Sequence, residues 1–309
     1  MTQFFNYFFD GLTRGSMYAL IALGYTLVYG VLQLINFAHS EVFMTGAFGS
    51  YIVVHLLVGN GKGTSSWQVP FIILIGVVVG ALCSAGIAWV LERVAYRPLR
   101  RRGAPKLAFL ISAIGASFFL STLASKLFNS QTTNQFPAFF DNKVVFSVDH
   151  AGVHVLQIVI VASALAMMVF LDRLVNVTKL GRSIRAVSED APTAALMGID
   201  IDKTISRTFI IGGLLGGVAG FLFGINFSFG YNMGFVPGVK AFAAAVLGGI
   251  GNIRGAMLGG LLLGLVENLV QLIPGFDTKW TDVVAFVVLV GVLMFRPTGI
   301  LGERVGRAA

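Results

Sequence analysis

Two stretches of this chain hold polar and titratable side chains inside apolar surroundings. The first is LINFAHSEVFMTG, where Asn36, His39 and Glu41 sit between hydrophobic runs. Polar groups set against membrane-length segments mark solute paths, so these three could form an unwound segment or gate. An ordinary turn with solvated Asn, His and Ser side chains is the simpler alternative. Tyr18, Tyr25 and Tyr29 precede the stretch at helical spacing. Packing or an interfacial position suits them as a set, with Tyr25 kept as a candidate for the gate.

The second is LLLGLVENLVQLI, which carries Glu267 with Asn268 and Gln271 beside it. A carboxylate at membrane depth is costly unless it is paired or faces water. Glu267 therefore either has a partner, with Lys240 and Arg254 in the same half, or lines a path. Asn252 interrupts the glycine-rich run between 236 and 273 and is a further gate candidate. Corresponding breaks near the two ends of a chain, here Asn36–Glu41 and Gly248–Gly255, point to a substrate path in transporters.

Other patterns carry less. His150 and His154 have the i, i+4 spacing of zinc ligands, with only Asp149 as a third group. Gly59 to Thr64 lacks the Gly-x4-Gly-Lys-Ser/Thr spacing and the preceding strand of a phosphate loop. No nucleophile–base pair or paired carboxylates stand in an apolar setting. The expectation is a protein that is not an enzyme and holds no metal or cofactor.

Composition says what must position these residues. The 309-residue chain is 56% hydrophobic and 12% charged, with a mean hydropathy of +0.84. Soluble domains carry about 25% charged residues, so this is a polytopic membrane protein. The net charge of +8 is not a nucleic-acid footprint. Fifteen of the 22 Lys and Arg residues fall in three segments, Glu92–Lys106, Asp172–Arg207 and the tail from Arg296. That is the bias of cytoplasmic loops. The single Cys83 excludes a disulfide framework. The N-terminus lacks the basic start and cleavage site of a signal peptide and reads as retained.

Crossing about 30 Å of hydrocarbon takes about 20 residues. Candidate spans are Ser16–Leu34, Val42–Val58, Pro70–Leu91, Leu107–Ser125, His154–Leu171, Thr208–Phe229 and Val283–Phe295. Two shorter helices, Val239–Gly249 and Ala256–Ile273, bring the expectation to nine, in a range of 8–10. The fold expected is an all-α helical bundle, one transmembrane domain over 1–309 with a cytoplasmic loop at 172–207. Alternation from the basic loops puts the N-terminus outside and Arg254 inside. Gly212, Gly216, Gly220 and Gly224 recur every fourth residue and make a stripe along which two helices approach closely.

The longest polar interruption is LGRSIRAVSEDAPTAALMGIDIDK, residues 180–203. Ser188 or Asp190 could cap a short helix there, with Pro192 in its first turn and Gly198 at its stop. Glu189, Asp190 and Ala191 open it, and Ala194, Ala195, Leu196 and Met197 give it an uncharged apolar surface. It is either a loop resting on its own protein or a docking helix that receives force from a cytosolic partner.

The segments Gly15–Gly30 and Ile35–His39 resemble the first signature of LivH-type permeases, the membrane subunits of ABC importers for branched-chain amino acids. Glu92–Pro98, Lys240–Phe242 with Gly248–Gly251, and Pro297–Gly302 are similar to further blocks of that family. The resemblance spans nearly the whole chain. It departs at Ser40, where the family commonly has Gly, and at Asn252–Arg254, a polar version of a turn that often carries Ser or Pro. It implies a permease in a bacterial inner membrane, paired with a second homologous permease. It further implies two cytosolic ATPases that bind the ATP and a periplasmic binding protein that delivers substrate. Residues 189–198 then correspond to the coupling helix. Urea and short-amide importers use related subunits and are the rival in the same class. A stand-alone channel or secondary transporter is the rival of another class.

Overall fold

The computed structural model describes residues 2–59, 67–128, 133–137, 144–148, 151–275 and 278–302. In chain order the elements are α1 (Thr2–Leu32), α2 (His39–Val58), α3 (Val69–Leu91), α4 (Arg97–Arg101) and α5 (Lys106–Leu127). There follow β1 (Val144–Val148), β2 (Ala151–His154), α6 (Val155–Val177), α7 (Lys179–Glu189) and α8 (Ala191–Leu196). The chain continues through α9 (Ile201–Asn226), α10 (Phe235–Gly248), α11 (Ile253–Leu269) and α12 (Thr281–Phe295). A π-helical turn, Glu92–Tyr96, joins α3 to α4.

Seven of the helical stretches are long and apolar enough to cross a membrane, and α10 and α12 are apolar but shorter. At 1.5 Å per residue the 14 residues of α10 reach about 21 Å, short of the hydrocarbon thickness. The span expected from Ser16 begins instead at Thr2, because a Phe-rich turn precedes the apolar run. The antiparallel pair β1–β2 departs from an all-helical reading. His154 ends that pair and caps α6, its backbone N–H donating to Gln157 Oε1 at 3.0 Å. Asp149 and His150 lie outside the described residues, as do Gly61 to Thr64.

Small residues decide which helices lie innermost. Gly15 of α1 faces the backbone of Gly260 and Leu261 on α11, and Gly264 of α11 faces that of Gly11 and Gly15. Gly213 and Gly217 of α9 press against Ser84, Ala85, Gly80 and Ala81 of α3. A side chain at any of these positions would meet backbone, which cannot move aside. The apolar windows of α1 and α9 are 83% and 78% buried, against 17% and 22% for α5 and α6. The buried axis is thus α1, α9 and their glycine-packed partners. α5 and α6 present most of their apolar surface outward, toward lipid or another subunit.

One end of the bundle gathers the basic segments. Glu92 is fully buried there and accepts from Arg97 Nη2 (3.1 Å), Arg100 Nη2 (3.3 Å) and Ser206 Oγ (2.6 Å). Arg100 and Arg101 also pair with Asp202 at the start of α9. Arg254 at the start of α11 pairs with Asp172 near the end of α6 at 3.0 Å. The C-terminal stretch folds back onto the α10–α11 turn, where Ile300 N–H and Leu301 N–H donate to Leu247 and Gly248 carbonyls. Segments that alternation assigns to the inner face, including Arg254, are therefore linked to one another at one end.

Candidate functional site

Between α1 and α2 the backbone leaves helical geometry at residues 33–38. Gln33, which closes α1, has φ +51°, an unfavourable conformation for a residue with a side chain. The chain turns back into the bundle instead of staying at its surface, for α2 starts beside the middle of α1 and α9. The His39 ring abuts Gly24 and Gly216 and lies edge-on to Tyr25, with ring centroids 4.9 Å apart. Asn36, His39, Ser40 and Glu41 are all buried, at 3%, 1%, 6% and 3% exposure. An ordinary solvated turn is excluded.

The break is held by Asn36. Its Oδ1 accepts from Ala38 N–H (3.1 Å) and from the hydroxyl of Tyr96 (2.9 Å), which the π-helical turn aims inward. Ser40 Oγ donates to the Phe37 carbonyl at 2.8 Å. Glu41 Oε1 accepts from Ser117 Oγ of α5 at 3.2 Å, and its Oε2 has no hydrogen-bond donor among the described residues.

The segment that meets this break is not Gly248–Gly255. It is the non-helical stretch 227–234 between α9 and α10. A Cβ on Gly234 would stand 2.6 Å from the Ser40 carbonyl oxygen and 2.8 Å from Glu41 Oε2. Gly238, one turn on, faces the Ser40 side chain, with the Tyr25 hydroxyl 3.4 Å from its Cβ position. Two interrupted helices thus meet at a buried point lined by Tyr25, Ser40, Glu41 and two glycines. Ser40, the departure noted in the sequence, fills the space over Gly238.

Asn252 stands elsewhere. Its Oδ1 caps α11 by accepting from Gly255 N–H (3.0 Å), and its Nδ2 donates to the Leu301 carbonyl (2.9 Å). Those bonds fix the turn between α10 and α11 and leave Asn252 away from the buried break. Glu267 is 1% exposed and its Oε1 takes Lys240 Nζ at 2.8 Å, with Tyr18 OH at 3.4 Å and Arg14 Nη1 at 3.6 Å. Lys240 reaches Asp282 of α12 as well, at 2.6 Å. Glu267 thus ties α1, α10, α11 and α12 together.

The glycine stripe of α9 runs past both neighbours. Gly212 lies against Gly24 and Val28 of α1, Gly216 against His39 and Phe43, Gly220 against Phe43 and Ala47, and Gly224 against the Phe136 ring. Its contacts are within the chain.

At the basic end, residues 180–203 fold as two helices. α7, a helix the sequence reading did not mark, buries Gly181, Ile184 and Val187 on one face and is amphipathic. Asp190 ends α7 and caps α8, its Oδ1 accepting from Thr193 N–H at 3.1 Å. The same N–H and the Thr193 hydroxyl hold the Asp190 carboxyl below its usual pKa. Ser188 plays no part in the cap and donates to the Arg185 carbonyl. Pro192 falls in the first turn, and Gly198 follows with φ +82°, a geometry that suits glycine. Ala194 is buried beneath α8, whereas Ala195 is exposed and Leu196 and Met197 are 88% and 79% exposed. Gln33 Nε2 donates to the Ser188 carbonyl at 3.4 Å, which links the buried break to the base of this handle.

Membrane-length helices broken at a buried polar point, with an apolar tip standing out from the basic end, define the class: a multi-pass helical membrane transport protein. The family described as branched-chain amino acid transport system, permease component, matches residues 7–293, and the chain belongs to it. It is 41% identical over 311 residues to the high-affinity branched-chain amino acid transport system permease protein LivH of Salmonella typhimurium, covering 98% of both chains. LivH of Escherichia coli K12 is equally similar, at 41% with the same coverage. BraD of Pseudomonas aeruginosa, a permease protein of the same description, is 41% identical over 95% of this chain and 94% of its own.

Proposed function

We propose that this chain is a membrane-spanning subunit of an ATP-driven importer of branched-chain amino acids in a bacterial inner membrane. In this reading a second permease subunit completes the path, a periplasmic binding protein delivers the solute, and two cytosolic ATPases dock below. ATP is bound and hydrolysed on those ATPases. The observation that carries the reading is the handle at the basic end. Leu196, which ends a six-residue helix that could not hold its shape in water alone, and Met197, which caps it, are 88% and 79% exposed. Exposed apolar side chains on a clamped helix suit a protein partner. Adjacent charges, Asp190 and Asp200, keep the tip out of the bilayer.

Force applied at α8 has a physical route inward. α8 rests on α7, α7 packs on α1, α6 and α9, and Ser188 holds Gln33 at the strained end of α1. A displacement of the handle therefore pulls on the segment that leads to Asn36, His39 and Glu41. A few angular changes at residues 33–38 and 227–234 would open one side of the buried point and close the other, the hinge form of a two-state switch.

The test is uptake by the assembled system in proteoliposomes. Labelled leucine should accumulate only with binding protein, ATPases and ATP together. Accumulation of urea without leucine would assign the path to the amide-type relatives instead. Gradient-driven flux through this chain alone would remove the importer reading.

A further inference from the structure

Among the described residues three carboxylates are buried, Glu41, Glu92 and Glu267, and their surroundings differ. Glu92 has Arg97 and Arg100, and Glu267 has Lys240 and Arg14. Glu41, 3% exposed, makes no ion pair among the described residues and accepts one hydrogen bond, from Ser117. Its second oxygen, like Oε2 of Glu267, accepts no hydrogen bond among the described residues, but at Glu41 no cation stands nearby and that oxygen faces Gly234, where the two breaks meet. An unpaired carboxylate in such a place costs several kcal/mol. A carboxylate so placed suits a cationic group that binds against it.

We propose that Glu41 is the counter-ion for the α-ammonium group of the amino acid in transit. The inference rests on the importer reading above. An ammonium carries three donors and one positive charge, and Glu41 offers a bare oxygen at the end of an otherwise satisfied carboxylate. The glycines opposite it leave no side chain between α2 and α10, so parting of these segments opens space directly against the carboxylate. The Tyr25 hydroxyl stands beside Gly238, one helical turn from Gly234. Neutral amides have no use for a buried anion, so Glu41 favours zwitterionic solutes.

The experiment uses the complete transporter in proteoliposomes, with leucine as the probe. Glu41→Gln should lower leucine moved per ATP hydrolysed at least tenfold, while binding-protein-stimulated ATP hydrolysis and thermal stability persist. Glu41→Asp should keep part of the uptake. Because a variant can fail in assembly, the wild-type complex supplies a second measurement. A hydrophobic carbodiimide, which modifies buried unpaired carboxyls, should label Glu41 in preference to the ion-paired Glu92 and Glu267. Leucine under turnover should protect Glu41. Undiminished leucine uptake in Glu41→Gln, or labelling of Glu41 that leucine does not alter, would overturn the proposal. If the wild-type complex itself fails to take up leucine, the importer reading falls instead, so the two failures are told apart.

Discussion

Glu267 and Glu41 are both carboxylates on membrane-length helices, each less than 4% exposed, and they are built into opposite circumstances. Glu267 sits in a cluster whose charges cancel: Arg14 and Lys240 against Glu267 and Asp282. The cluster joins four helices. Glu41 accepts from the Ser117 hydroxyl and lies against Gly234. In a low-dielectric interior, a charge with its partner locks structure, and a charge without one is a liability retained for a task. The difference separates the part of the molecule that stays fixed from the part that must change. The sequence left Glu267 open between a paired carboxylate and a path residue, and its contacts with Lys240 and Arg14 favour the first.

The sharpest way to break this contrast is to remove one partner from each site. Lys240→Met leaves Glu267 with only the more distant, part-exposed Arg14, and it should cost about 3–5 kcal/mol, the range for orphaning a buried charge. Thermal unfolding of the purified complex would read this as a clear loss. Converting both residues in Lys240→Met with Glu267→Met should recover much of it, since Asp282 is half exposed and can turn to solvent. At Glu41 the sign changes. Glu41→Gln removes an uncompensated charge, so stability should hold or rise while uptake falls. Equal destabilisation at both sites would erase the distinction.

Glu92 should fall between. Glu92→Gln frees Arg97 and Arg100, yet Arg100 keeps Asp202 and both guanidinia are part-exposed. A loss of about 1–3 kcal/mol is expected. Limited proteolysis should show it as new cleavage after the arginines of α4. Of similar size is Gly234→Ala, whose methyl would stand 2.6 Å from the Ser40 carbonyl oxygen and 2.8 Å from Glu41 Oε2. The carboxylate can swing but the carbonyl is backbone, so the cost should fall within the 1–3 kcal/mol typical of overpacking, about 2 kcal/mol. Leucine uptake should drop more than stability does. Unchanged uptake would place the path away from Gly234.

Much of this was legible in the sequence because it depends on short range. Apolar runs gave the membrane-length helices, basic loops gave the inner end, and Asp190, Pro192 and Gly198 gave α8 with its cap and stop. The glycine period on α9 gave a close-packing face. What stayed hidden was pairing across the chain. Nothing local to Lys240 says that it meets Glu267 and Asp282, because the pairing requires α10, α11 and α12 to be assembled. The second half of the break lay in FSFGYNMGF, whose glycines mark a turn without saying which buried segment it faces. α7 was obscured by its charge. Its buried face is only Gly181, Ile184 and Val187, and six polar or charged residues surround them.

The smallest expected effect on stability belongs to the handle, where a null result in one measurement and a large one in another would be informative together. Leu196→Asp or Met197→Asp replaces a side chain that touches almost nothing in the folded chain. Stability should therefore shift by no more than about 0.5 kcal/mol. Ala195→Asp, also at an exposed position, should behave alike. Uptake should nonetheless collapse, because a buried charge at a protein interface must be desolvated without a partner. Whether ATP hydrolysis persists then locates the fault. Hydrolysis that continues without uptake means the ATPases still bind but no longer drive the handle. Loss of the ATPases on purification means that Leu196 and Met197 supply the binding surface itself. If all three variants transport normally, α8 carries no force, and the link from Ser188 to Gln33 and the break is left without an input.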